Sequence, residues 1–364
     1  MGLAGHASIS ARGSVSGLLL RVVAGAPGAE QAPLLARDAV ATSADVLRDD
    51  DIQLALFLLY AGHYGSVSFA DPEQEWDTHL IAARRTIERA FEARLRELIV
   101  PPALPDPRRE SVAQALFALT APAPGPSAAR YVAKKATPAQ AREFLILRSI
   151  YTLREADPHS WAIPRLTGAA KAALVEIQAD EYGGGDPDRM HAGIFARAMR
   201  GVGLDDRYSA YVDDVPALTL ASLNMMSMFG LNRRLLGAIV GHLAAFEMTS
   251  SLPNKLYGDG FRRLGFGSDV TWYFDEHVEA DAVHEQIAGR DLAGSLAEER
   301  PELVADIMFG AAACLTVDGW AGDEMLDAWE GGRSALRVGN SGDTETEAEI
   351  GTGVEAVVSV GAGS

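Results

Sequence analysis

The chain has 364 residues, 48% of them apolar but only 7% aromatic, and a formal charge of −18. That length supports one large domain or two ordinary ones around a substantial core, and an apolar set carried by Ala, Leu and Val favours closely packed helices over strands. The acidic balance argues against nucleic acid or an anionic membrane as partner, and a single cysteine, Cys314, excludes an intramolecular disulfide and a cysteine-ligated iron–sulfur cluster.

The amino terminus carries a short apolar patch, GLLLRVVAGA, interrupted by Arg21 and weakly flanked by charge, which makes a poor signal peptide. No uninterrupted apolar run reaches the ~18–20 residues of a membrane span. The longest, LLGAIVGHLAAF, is broken by His242 and is followed by Glu247. A cytoplasmic protein is expected.

Helical spacing runs from Asp50 to His63, with Ile52, Leu56, Leu59 and Tyr60 in phase and acids in the first turn. Trp76 to Val100 reads as a long amphipathic helix. A break follows at PPALPDP (101–107), then a short helix about Ser111 to Leu119, and APAPGPSA (121–128) reads as a linker. Thr137, Pro138 and Gln140 form a capping box with a proline start, for a helix reaching about Glu155 and stopping before Pro158. A further helix spans about Pro164 to Tyr182 and ends in Gly183, Gly184 and Gly185. Asp188 suits the cap of the next, with His191 in its first turn. More helices are expected near 215–228, 230–250, 253–264, 270–290, 298–316 and 321–336. The sequence shows no convincing strand and no repeat, and the Gly-, Glu- and Ser-rich end reads as a disordered tail.

The sharpest chemical signal is DEHVEADAVHE, where His277, Asp281 and His284 stand at i, i+4 and i+7. On a helix they project within about 60° of one another, and two imidazoles with a carboxylate suit iron, manganese or zinc. Glutamates within apolar helix faces are natural companions, because a buried unpaired carboxylate is costly. Glu247, Glu181 and Glu155 fit that description, and His191 adds a nitrogen. Each has a plainer alternative. Glu155 could be a solvated acid paired with Arg154 or Arg148, and Glu181 could share a solvated face with Glu176 and Asp180. His191 could sit beside its cap, and the His277 face could be a salt-bridge stripe with Glu276, Glu279 and Glu285. A ferritin-like bundle is disfavoured, since no histidine has a glutamate three residues before it.

Four stretches, YTLREADPHSWAIPRL, ALVEIQADEYGGGDPDRMH, GHLAAFEMTSS and the H-x-x-x-D-x-x-H of DEHVEADAVH, together resemble the haem-oxygenase-like di-iron oxidases and oxygenases, a group also described broadly as iron-containing redox enzymes. The resemblance covers roughly residues 130 to 335. It implies an all-α, haem-oxygenase-like helical bundle over 131–337, an N-terminal accessory or dimerisation region over 1–130, and an acidic tail over 338–364. It also implies metal ligation by Glu181, His191, Glu247, His277, Asp281 and His284, with Glu247 bridging or chelating, and less directly by Glu155. The implied cofactor is Fe(II), two per chain, with O2 as cosubstrate and electrons from an external donor. The implied reaction is oxygenation of an amino acid or amine-derived small molecule, N-oxygenation favoured, with desaturation or C–C cleavage of an amino or fatty acid as the alternative. A non-catalytic metal-binding helical protein and a mononuclear iron lyase are the competing classes. Partners beyond the substrate and donor are expected to be a second copy of the chain, with no nucleic acid and no membrane. Asn224, Met228, Tyr257 and Arg262 are candidate substrate-pocket residues.

Overall fold

The structure, a computed structural model, describes residues 9–64, 71–100, 102–122 and 125–337, without the side chains of 279–283. The expected acidic tail lies outside the described residues. Every regular element among those residues is helical, as the composition predicts. Two amino-terminal helices were not anticipated, α1 (Ser14–Val23) and α2 (Ala32–Thr42). Val15, Leu18, Leu19 and Val22 of α1 are buried, so the apolar patch that includes Arg21 is an amphipathic core helix. The next two helices match expectation: α3 (Asp50–Ala61) is capped by the Asp49 carboxylate, and α4 (Thr78–Leu98) by that of Asp77. After α5 (Arg109–Leu119), the segment read as a linker leads into a short helix, α6 (Ala128–Lys134), which Ser127 caps.

The capping box forms as predicted and starts α7 (Pro138–Thr152), but the helix stops short of Glu155. Residues 153–156 form turns into α8 (Asp157–Ser160), which seats Pro158 in its first turn, where the missing N–H has no role. Thr167 starts α9 (Gly168–Glu181). Asp188 is not the cap expected for the following helix. Asp186 instead caps the tight turn Pro187–Arg189, and α10 (His191–Gly201) begins at His191 with no side-chain cap.

Beyond α11 (Ala217–Leu231), two expected pairs of helices are each continuous. The first is α12 (Leu236–Arg263), which runs through Pro253. A proline there removes one backbone bond, and in the preceding turn the Thr249 and Ser250 hydroxyls donate to the carbonyls of Ala245 and Glu247. From α13 (Ser268–Gln286) the chain continues through a π-helical segment, Ile287–Gly294, into α14 (Ser295–Glu299). The second continuous helix is α15 (Val304–Glu330), which holds Gly319 and Gly322 without breaking. An interior glycine costs only about 1 kcal/mol, which the apolar packing on either side outweighs.

The centre of the bundle is α12, packed against α13, α15 and α6. Its crossing with α15 is close because it is built on glycine. A Cβ on Gly241 would collide with the Ile307 carbonyl, and one on Gly310 with that of Ala238. One hydrophobic cluster joins Val15, Leu54, Phe91 and Leu116 to Leu174, Met225, Leu243 and Ile307, so the early helices share a core with the later ones. Across it, the Asn224 amide donates to both the backbone and the side-chain oxygen of Gln53, at 2.9 Å each. Residues 233–263 and 301–330 are long and apolar enough by composition to cross a membrane, but most of each apolar stretch is buried inside the bundle.

Candidate metal centre

Five pieces of chain deliver the candidate donors. Glu155 sits on the turn after α7, Glu181 is the last residue of α9, and His191 is the first of α10. Glu247 projects from mid-α12, and His277 and His284 from α13. The tight return between Glu181 and His191 depends on Gly183, which has φ +74° and where a Cβ would lie 2.7 Å from the Met190 nitrogen. Only glycine fits both conditions.

These side chains converge on two overlapping groups. Ligand atoms of Glu155, Glu181, His191 and His277 lie within 4.8 Å of one another, as do those of Glu181, Glu247 and His284. Glu181 is common to both, so geometry gives the shared position to Glu181 rather than to Glu247. Its Oε2 is 3.0 Å from His191 Nδ1. Glu155 Oε1 is 3.9 Å from the same nitrogen and 3.7 Å from His277 Nε2. His284 Nδ1 is 3.3 Å from Glu247 Oε2. Yet Glu155 Oε1, Glu181 Oε2, His191 Nδ1 and His284 Nδ1 are all buried without a hydrogen bond. Buried polar atoms left unbonded are expensive, and cations held in the two groups would satisfy them. The site fits a metal ion, and a mixed carboxylate–imidazole shell suits iron.

Protonation tells the same story. Burial pushes the Glu155 carboxyl up to about 8, with the Glu181 charge adding to it. Burial opposes a charge on His191, but the Glu181 carboxylate carries it up to about 9, and Glu247 and Asp180 do the same for His284. In the metal-free protein, protons hold apart charges that a cation would otherwise balance, so metal uptake would release them.

Two partners were missed from the sequence. The Tyr273 hydroxyl donates to Glu155 Oε2 at 2.9 Å, and its carbonyl accepts from His277 Nδ1 at 2.7 Å. A carbonyl only accepts, so Nδ1 carries the proton and Nε2 faces Glu155 with a free lone pair. Burial also keeps this ring neutral, down at about 4. Asp180 Oδ2 stands 2.9 Å from His284 Nε2 and keeps the proton on that nitrogen, so Nδ1 is the nitrogen that would give up its proton to a metal. Tyr273 lies four residues before His277, the one sequence signal that could have drawn attention to it. The Asp281 side chain lies outside the described residues. The stripe with Glu276 is excluded for His277 and His284, since both rings are buried.

A cavity of about 20 Å³, room for a water-sized occupant, is lined by Glu155, Glu181, Glu247 and His277. Tyr151 and Phe246 line it too, and they also line a second cavity of about 1000 Å³. Their rings, with centroids 5.0 Å apart, form the partition. Of the four pocket residues expected from sequence, Tyr257 lines the large cavity. Met228 is in the core, Asn224 is committed to Gln53, and Arg262 pairs with Asp275 on the surface.

Residues 142–319 match the family described as iron-containing redox enzyme, a span that contains every candidate donor. No curated protein matches the chain. Among solved structures, it is similar to a CADD-like protein of unknown function from Nostoc punctiforme at 1.35 Å resolution, with a TM-score of 0.47 and 16% identity over 60% of this chain and 94% of that one. A second structure of a CADD-like protein from that organism, at 2.00 Å, gives a TM-score of 0.43 and 15% identity over 66% of this chain and 97% of that one. Over residues 142–319, just under half of its length, the chain is similar to the iron-containing redox enzyme family.

Proposed function

We propose that the protein is a non-haem di-iron oxygenase acting on a small molecule. The observation that carries this reading is Glu181, whose carboxylate stands in both donor groups, as a ligand shared by two ions must. One group would consist of Glu155, Glu181, His191 and His277, the other of Glu181, Glu247 and His284, with Asp281 as a further donor from α13. Iron held there would supply reductive activation of O2, with electrons from an external donor. The protein's own contribution is positional. Tyr273 holds Glu155 and His277 in register, Asp180 holds His284, and Tyr151 and Phe246 screen the small cavity from the larger one. N-oxygenation of an amino-acid-derived amine is favoured, because the additional carboxylate that the resemblance associates with that outcome, Glu155, belongs to the first group.

The test is anaerobic titration of the metal-free protein with Fe(II), followed by exposure to air. Saturation at two ions per chain with O2 consumption supports the reading. Saturation at one ion points to a mononuclear enzyme, and two ions without O2 consumption to a metal-binding protein with no turnover.

A further inference from the structure

We infer that the large cavity beside the metal centre takes a carboxylate-bearing molecule with an apolar body, and that the Arg148 guanidinium grips its carboxylate. Arg148 projects from α7 into this cavity. Its guanidinium carbon lies 5.5 Å from the ring centroid of Phe144, 6.0 Å from that of Tyr151 and 5.9 Å from that of Tyr257. Aromatic rings attract a cation but offer no acceptor in the guanidinium plane. Nε is buried with no hydrogen bond, and among the described residues no carboxylate lies within ion-pairing distance of the group. A cation held this way, in a largely apolar chamber, lacks its anion.

The two buried carboxylates that feel its charge, Glu155 and Asp318, stand beyond ion-pairing distance of it. Asp318 accepts the Ser222 hydroxyl on Oδ1 and faces the Cys314 thiol at 3.8 Å on Oδ2. What fits the free fork of Arg148 is a planar two-oxygen acceptor. Because Tyr151 lines both cavities, a carboxylate seated on Arg148 places the atoms next to it near the partition and leaves the body in the apolar space. Arg148 is then a specificity-determining residue. The inference rests on the proposed function only in taking this chamber as the substrate's.

The full-length protein, metal-free and then iron-loaded, is titrated calorimetrically with phenylbutyrate, phenylbutanol and phenylbutylamine. The acid is expected to bind at least about tenfold more tightly than the alcohol or the amine in both states, the worth of a charged hydrogen-bonded pair. R148M should lose that preference with its iron content unchanged, and R148K should recover part of it. Equal affinity for acid and alcohol, no binding of the acid, or a preference intact in R148M overturns the inference. If R148M does not fold, the ligand series on the unsubstituted protein and on R148K decides. Loss of iron binding with the acid preference intact would defeat the di-iron reading and leave this one standing.

Discussion

Glu181 Oε2 lies 3.0 Å from His191 Nδ1, an ion-pairing distance, at the point where the two donor groups meet. Its neighbours serve one group each. In the proposed two-iron site, removal of this carboxylate should therefore act on both ions, whereas E155A or E247A should act on one. The expected result is iron content near zero in E181A and about halved in E155A and E247A, with helical content by circular dichroism unchanged, since each loss is of ligand charge and not of core. If E181A retains as much iron as E155A, the shared position is wrongly assigned.

Tyr273 touches two candidate ligands at once, through its hydroxyl and its carbonyl. Y273F removes the first contact and keeps the second. Outer partners of this kind typically change metal affinity by about 10–100-fold, so Y273F should weaken one iron by that order and leave the other alone. D180N should weaken the other iron by less, because the Asp180 carboxylate is 60% exposed. Dissociation constants for the two ions from a competitive chelator titration decide this, and an equal effect of Y273F on both would contradict it.

The candidate donors were readable because metal chemistry demands residue types that apolar helices otherwise exclude. Glu247 stands out in GHLAAFEMTSS for that reason, and the i, i+4, i+7 spacing on α13 places His277 and His284 on one face. What could not be read is what depends on contact between distant elements. Tyr273 looks like any core tyrosine until Glu155 meets it, and Asp180 like any helix-end acid. Element boundaries failed where tertiary packing outweighed local punctuation, at Pro253 in α12 and at Gly319 and Gly322 in α15. One arginine in a short apolar run resembles an interruption, which hides α1 in the sequence, although Arg21 is on its exposed side.

The α12–α15 crossing holds Glu247 in place, and it relies on backbone meeting backbone at Gly241 and Gly310. A methyl group at either point has nowhere to go, because the obstruction is a carbonyl and not a flexible side chain. G241A and G310A should each destabilise the metal-free protein by about 1–3 kcal/mol or more, the usual cost of overpacking. G319A, whose added Cβ meets nothing within 4 Å, should be neutral or slightly stabilising. Urea midpoints with unchanged slope measure the difference, and a G241A midpoint equal to that of G319A would mean the crossing is looser than described.

A pair of neutral histidines in the core sets a pH limit on the metal-free protein. His242 is fully buried between Phe229 and Phe246, and its Nδ1 lies 3.2 Å from Nε2 of the buried His159. Burial holds His242 well below the usual imidazole range and brings His159 down to about 4. Unfolded histidines take up protons near pH 6.5, so below that pH the unfolded chain binds protons that the folded chain refuses. The contribution of this pair is then complete above about pH 6.5 and falls as the pH drops towards 4, by about 1.4 kcal/mol per unit for each histidine. Burial raises the carboxyls of Glu155, Glu247 and Asp318, which adds slope of the opposite sign, so the diagnostic quantity is a difference between variants. H242F keeps an aromatic ring between its two neighbours and removes one titrating group. It starts less stable, since His159 loses its partner, yet its urea midpoint should fall less steeply between about pH 6.5 and 4 than that of the unsubstituted protein. Equal slopes would mean that His242 is already protonated, or reached by water, inside the folded bundle.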